Sequence, residues 1–315
     1  MLPLGGCGGL QSTLQPAGKE AAEIATLFHV LLVGAVVLWL LVNGIFLYVT
    51  RLNPRPLSRR AAEGLIIGGG ILFPTVLLGI LLAYSMSLMS SQRETGNAAT
   101  SVSVTGEQWW WRVQYRREDG SLLASANELR LPAGERTEVT LTSNKVIHSF
   151  WVPALAGKMD MFPGRVTRLA LQPETTGIYR GQCAEFCGTS HALMAFQVVV
   201  MTPEDFERWL EEQATPAAEP EGMLAMEGRQ AFLREGCGAC HTVRGTPAAG
   251  TTGPDLTHVG GRTTLGAGIL PSTPEDFTRW IQHTDTIKPD VYMPSYDHLD
   301  QTVLEALGHY LKGLM

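Results

Sequence analysis

Two stretches of this chain, residues 24–50 and 64–92, contain no Asp, Glu, Lys or Arg at all. About 20 consecutive apolar helical residues cross a bilayer core, so each stretch is long enough to span one. In the first run the polar side chains are Thr26, His29, Asn43, Tyr48 and Thr50. The second run, Leu65 to Met89, carries Gly68, Gly69, Gly70 and Pro74. Such residues break a soluble helix but are tolerated in a membrane helix that packs closely on a neighbour. Charged residues make up only 17% of the chain, against ~25% in soluble domains, and these runs hold the deficit. A purely soluble chain is excluded. The loop between the runs carries Arg51, Arg55, Arg59 and Arg60, whereas the outer flanks hold Lys19 and Arg93. Positive-inside counting therefore places the loop in the cytoplasm and everything after residue 90, with both termini, outside. A net charge of −6 without Lys/Arg blocks argues against nucleic acid as a partner.

The N-terminal Leu4-Gly5-Gly6-Cys7 is similar to a bacterial lipoprotein cleavage site, with only three residues before it. A signal segment needs ~7–15 apolar residues. Two readings stand at Cys7: a lipid anchor, or a free thiol near the membrane.

The chain divides into a membrane hairpin (1–95), a β-domain (96–210), a linker (211–222) and a helical domain (223–315). Val102, Val104, Trp109, Trp111, Val113 and Tyr115 mark short strands rich in β-branched and aromatic residues. The alternation continues through residues 129–131, 138–142, 168–171 and 196–201, and short strands at this spacing suggest a sandwich. Pro203 to Leu210 reads as one helix with Thr202 as its cap. Residues 211–222 are rich in Ala, Pro and Glu, a flexible spacer reaching roughly 20 Å. Helical patterns return over 224–235, 274–284 and 300–314.

The motif Cys183-x3-Cys187-x3-His191-x2-Met194 packs two thiols, an imidazole and a thioether into twelve residues, and His148 ends a strand 35 residues upstream. Soft sulfur ligands with imidazole select copper over hard cations. A mononuclear blue-copper site needs one cysteine. With two, a pair of copper ions bridged by both sulfurs is the natural solution, each ion taking one histidine and one weak ligand. Met194 supplies one weak ligand and a backbone carbonyl near Glu185 the other. A Cys183–Cys187 disulfide and a zinc site remain as alternatives.

These residues resemble a known family. His148-Ser-Phe-Trp-Val-Pro, Lys158-Met-Asp-Met-Phe-Pro-Gly-Arg165 and Tyr179 to Met194 are similar to subunit II of haem–copper cytochrome c oxidase, and Gly106 to Tyr115 resembles its aromatic strand. The resemblance implies a cupredoxin-like sandwich with a dinuclear copper centre. It implies as ligands His148, Cys183, the Glu185 main-chain oxygen, Cys187, His191 and Met194. It further implies magnesium on the Glu185 side chain at the contact with subunit I, and electron entry at Trp109. For the tryptophan cluster, burial in the sandwich core or anchoring at the membrane surface is the plainer reading. Many family members carry a glutamate at the mouth of a proton path, seven residues before the proline of the second span. Ile67 stands there, and Glu63 is the nearest acid.

Cys237-Gly-Ala-Cys240-His241 is the attachment signature of c-type haem, with two thioether-forming thiols and a histidine for the iron. Met293, 52 residues further on, is the candidate second axial ligand, and Met/His ligation suits an electron-transfer haem. His258, His283, His298 and His309 are its rivals. Gly253-Pro-Asp-Leu256 resembles a loop of small cytochromes c, and His258 and Arg262 are candidates for haem propionates. A redox dithiol and half a zinc site are the alternatives.

The whole resembles an oxidase subunit II fused to a cytochrome c domain, as in caa-type enzymes of the bacterial inner membrane. The expected fold is a multi-domain membrane protein: a two-helix transmembrane hairpin, a cupredoxin-like β-sandwich and a small all-α cytochrome c domain. The expected partners are oxidase subunits I and III, with a cytochrome c or a quinol-oxidising complex as electron donor. Oxygen reduction and proton translocation then belong to the assembled oxidase, because this chain has no oxygen-binding site. A membrane-tethered electron carrier and a component of another terminal reductase are the competing readings.

Overall fold

The computed structural model describes residues 8–93, 96, 98–117 and 119–315; Cys7 lies outside them. The chain forms two units, Ala22–Glu94 and a second that joins the preceding segment to everything from Thr95 onward.

The first unit is the hairpin. Helix α1 (Lys19–Leu47) continues through a wider π turn at Tyr48–Leu52, and α2 (Arg59–Leu65) runs through a π segment, Ile66–Leu72, into α3 (Phe73–Arg93). Both helical stretches are long and apolar enough to cross a membrane, by length and composition. Polar side chains in the apolar runs bond their own helix: Thr26 Oγ1 donates to the Ala22 carbonyl (2.8 Å) and Asn43 Nδ2 to that of Trp39 (2.7 Å). Each of these two groups is thereby paired rather than left alone against hydrocarbon. The π segment has a local cause. Pro74 cannot donate an N–H, and three glycines precede it, so the ladder shifts by one and Phe73 N–H bonds the Gly68 carbonyl. Glu63 pairs with Arg59 one turn away (2.8 Å) on an exposed face.

The second unit holds both globular domains. Ten strands build two five-stranded sheets. One has the order β3-β2-β1-β5-β8, from β1 (Thr100–Glu107), β2 (Trp110–Arg116), β3 (Leu122–Ala126), β5 (Thr137–Ser143) and β8 (Thr167–Leu171). The other has the order β4-β10-β9-β6-β7, from β4 (Glu128–Pro132), β6 (His148–Trp151), β7 (Met159–Met161), β9 (Gly177–Cys183) and β10 (Ala195–Met201). Period-two burial puts Trp111, Val113 and Tyr115 of β2 and Val139 and Leu141 of β5 into the core. Trp111, Phe150 and Phe196 pack there edge-to-face and stacked, with centroids 4.8–6.0 Å apart. The segment up to Ala21, with the first residues of α1, also belongs to this body: Ala17 and Ala21 N–H donate to the Ala154 and Leu155 carbonyls.

Helix α4 (Pro203–Ala214) is capped by Thr202 and runs four residues past the expected Leu210. The connection that follows is not free. Ala217 N–H donates to the Arg244 carbonyl (2.9 Å) and Arg229 pairs with Glu219. The last domain is helical, with α5 (Met223–Arg234), α6 (Pro274–Gln282), one-turn α7 (Thr284–Ile287) and α8 (Gln301–Gly313), plus a two-residue ribbon of β11 (Thr264–Leu265) and β12 (Leu270–Pro271). Helices α5 and α8 cross at Gly228, where a Cβ would sit 2.0 Å from the Ala306 carbonyl oxygen.

Candidate functional site

The copper-type donors gather at one end of the second sheet. β6 begins at His148, β9 ends at Cys183, and Met194 immediately precedes β10. The intervening loop is held at both ends: Cys183 N–H donates to the Met194 carbonyl (2.9 Å) and Ala184 N–H to the Ser149 carbonyl (3.0 Å). His148 is fully buried, and Gly106 makes the room, since a Cβ there would lie 2.8 Å from the imidazole carbons.

The donor atoms fall into two sets, each around one sulfur. Cys183 Sγ has His148 Nδ1 at 3.7 Å and the Glu185 main-chain oxygen at 3.2 Å. Cys187 Sγ has His191 Nδ1 at 3.5 Å and Met194 Sδ at 3.8 Å. The sulfurs are free thiols 3.8 Å apart, not the ~2.05 Å of a disulfide. The hydrogen bond with Cys187 holds the Cys183 thiol below the usual thiol range, and the same bond, with burial, pushes Cys187 above it. Two thiols, two imidazoles, a thioether and a carbonyl form a soft donor set that fits copper. The Glu185 side chain points elsewhere, half-exposed, 3.8 Å from Lys158 Nζ, which also pairs with Asp160 (3.4 Å).

In the helical domain a cavity of about 240 Å³ brings together Cys237, Cys240, His241 and Met293, with apolar walls that include Phe232, Leu256 and Phe277. His241 Nδ1 donates to the Pro254 carbonyl (2.8 Å), which leaves Nε2 with its lone pair. Burial lowers the His241 pKa and so keeps the ring neutral, as an iron ligand must be. Gly253 lets the chain pass the ring, since a Cβ there would come within 2.6 Å of it. The residues fit a haem with two thioether links and His/Met ligands. Of the rivals to Met293, none of His258, His283, His298 and His309 lines this cavity. His258 is also displaced from the propionate role: both ring nitrogens meet carbonyls, of Met315 (2.6 Å) and Thr215 (3.0 Å). Arg262 does line the cavity.

The two sites share a wall. Trp109 and Trp110, between and at the start of the β1–β2 pair, line the cavity beside the helical domain's residues. Trp109 is buried, and its indole N–H donates to the Cys187 carbonyl (3.0 Å). Trp111, by contrast, belongs to the sandwich core. Sequence reasoning missed the docking that creates this wall. Thr263 donates twice to Glu128 Oε2 (2.7 Å each), Ala195 N–H donates to the Ala267 carbonyl (3.1 Å), and Ser190 Oγ donates to the Pro289 carbonyl (2.6 Å). A free tether is therefore not what the structure has. Much of the joint is made through backbone groups, which leave no residue signature.

The sequence model of "Cytochrome C oxidase subunit II, periplasmic domain" matches residues 116–201, and that of "Cytochrome c" matches residues 225–315. Cytochrome c oxidase subunit 2 of Bacillus subtilis is 31% identical over 340 residues, covering 99% of this chain and 94% of that one. That of Alkalihalophilus pseudofirmus is 36% identical over 221 residues, covering 70% of this chain and 63% of that one. The crystal structure of the periplasmic domain of the Bradyrhizobium japonicum subunit II is similar at 29% identity and a TM-score of 0.36, over 38% of this chain and 97% of that one. The fold and the matches define an electron-transfer subunit of a haem–copper terminal oxidase, a membrane protein with copper and haem domains. The chain belongs to the cytochrome c oxidase subunit II family, in its form with a fused cytochrome c domain.

Proposed function

We propose that this subunit takes electrons at a covalently bound haem c and passes them through a dinuclear copper centre to haem in subunit I, where oxygen is reduced to water with proton translocation. The haem and the copper pair supply reversible one-electron chemistry without bond making. The chain's residues do the rest. Cys237 and Cys240 tether the porphyrin, and His241 and Met293 supply its axial donors. His148, Cys183, the Glu185 carbonyl, Cys187, His191 and Met194 hold the copper pair. Trp109 touches the haem cavity and bonds to Cys187, so it is the residue placed to couple the two sites electronically. The Glu185 carboxylate, turned away from the sulfurs, is left to bind magnesium against subunit I. The redox domains lie on the outer side of the bacterial inner membrane and the arginine-rich loop in the cytoplasm. Subunits I and III are the membrane partners, and a cytochrome c or quinol-oxidising complex is the donor.

The observation that carries this reading is the pair of donor sets around two unbridged thiols, joined through Trp109 to a cavity holding the Cys237–His241 motif. The test is EPR and optical spectroscopy of the purified oxidase. One unpaired electron shared over two coppers, with a low-spin His/Met haem c, is expected. A single localised copper signal would refute it.

A further inference from the structure

The wall of the haem cavity holds two cationic side chains, Lys288 and Arg262, and among the described residues no Asp or Glu. Arg262 has a partner in the Asp255 carbonyl. Lys288 is harder to account for. At 2% exposure it is among the most deeply buried side chains of the protein. An ammonium has three protons to donate. This one gives a hydrogen bond to the Gly266 carbonyl (2.8 Å), and among the described residues no carboxylate pairs with it. A neutral donor would brace that turn as well. A buried ammonium without a counter-charge is costly, and a carboxylate beside it forms the strong, charge-assisted hydrogen bond that offsets the cost. The backbone fixes where the charge sits. Lys288 follows α7 with its N–H on the Thr284 carbonyl (2.9 Å). It stands five residues before Met293, and Val291, Tyr292 and Met293 line the same cavity.

Resting on the function proposed above, we infer that Lys288 binds a haem propionate: its ammonium is the ion-pair partner of one of the two carboxylates that a haem carries. The need is mutual. Phe232, Leu256 and Phe277 make the cavity walls apolar, and a carboxylate brought among such groups requires a cation as much as the ammonium requires an anion. One loop then holds the haem twice, through the Met293 thioether and the Lys288 ammonium, in addition to the bonds from Cys237 and Cys240. The sequence gives no sign of this role, because a lysine outside any motif reads as a surface residue until the fold buries it.

The experiment compares three variants made in the intact oxidase. Lys288→Arg keeps the charge, Lys288→Gln keeps a donor for the Gly266 carbonyl but no charge, and Lys288→Met keeps neither. Resonance Raman spectra of haem c report the propionate-bending band, which moves when a propionate loses a charged hydrogen-bond partner. The expected result is a displaced band in the Gln and Met variants and a band at its wild-type position in the Arg variant, with haem covalently attached in all of them. The haem c midpoint potential should fall in the same two variants, since a cation in the cavity wall favours the reduced haem. If the Met variant does not accumulate, the Gln and Arg variants carry the comparison. A propionate band unmoved in the Gln variant overturns the inference even where the potential shifts, because Lys288 then acts only as a charge in the wall or as a brace for Gly266. A band displaced equally in the Arg variant overturns it too, because charge is then not what the propionate senses. Absence of covalent haem from the wild-type oxidase, read as the pyridine haemochrome, would instead refute the proposed function.

Discussion

Glu128→Ala tests whether the cytochrome domain is truly docked. Glu128 is buried, and one carboxylate oxygen takes both the Thr263 amide and its hydroxyl at 2.7 Å, while the other pairs with Arg130 at 2.8 Å. Hydrogen bonds to a charged group contribute ~1.5–3 kcal/mol each. Arg130 loses its carboxylate but keeps the Gly261 carbonyl (3.0 Å), so part of the joint survives. A net loss of ~2–4 kcal/mol is expected, which lowers the docking equilibrium constant by ~30- to 700-fold at ~1.4 kcal/mol per factor of ten. The reporter is the Ala195 amide, which β10 donates to the Ala267 carbonyl of the other domain. Its hydrogen exchange, read by mass spectrometry or NMR, requires undocking and should accelerate by that factor. Amides of β5, inside the first sheet, should not change. Unchanged exchange at Ala195, or equal acceleration in β5, would refute the argument: the first would mean that Glu128 does not hold the joint, the second that the fold as a whole had weakened.

Three further substitutions probe the centres. Gly106→Ala puts a methyl 2.8 Å from the His148 ring in a fully packed site, a strain of ~1–3 kcal/mol; copper content should fall while the far-ultraviolet circular dichroism stays native. Met293→His should keep the haem attached and lower its midpoint potential, since thioether ligation raises it; an unchanged potential in redox titration would move the axial role elsewhere. Glu185→Gln should spare the copper spectrum, because the main-chain oxygen faces Cys183, and weaken a magnesium or manganese site measured by manganese EPR; the opposite pattern would reverse the assignment.

Most of the candidate donors were legible in the sequence because they are local, His148 and Met293 apart. Cys183, Cys187, His191 and Met194 lie on one loop, and Cys237, Cys240 and His241 on another, so spacing alone brings them together. The spans were legible because a run without charge has few alternatives. The joint was not. Apart from the Glu128 carboxylate, its acceptors are carbonyls, those of Gly261, Ala267, Gly268 and Pro289, which any residue type would offer. The linker misled for a related reason. Its first residues, Glu211, Glu212, Gln213 and Ala214, are polar but good helix formers, so α4 continues until Pro216 forces Thr215 out of helical geometry. The remainder looks like a spacer by composition, yet Ala217 and Glu219 are fastened to the cytochrome domain by one backbone bond and one ion pair. His258 looked like a haem contact for its position in a loop, and only the fold shows its nitrogens turned to other carbonyls.

Docking also decides who can deliver electrons. Trp109 is 5% exposed, and the residues facing it across the cavity wall belong to the cytochrome domain. On the function proposed above, a soluble donor then has no direct approach to Trp109 and is expected to reduce the fused haem first. Within the intact subunit the next step is intramolecular, so haem-to-copper transfer should be first order, independent of enzyme concentration and nearly insensitive to salt. Deleting residues 223–315 uncovers Trp109 while leaving every copper donor in place. The truncated oxidase should keep its copper spectrum and take electrons from added soluble cytochrome c, with a rate that rises with donor concentration and falls steeply with ionic strength, as steered encounters do. Flash-induced electron injection, followed at the copper band in both forms across donor and salt concentrations, separates the cases. If both forms show the same donor and salt dependence, the cytochrome domain does not cover the entry point, and electrons reach the copper by a path that avoids Trp109.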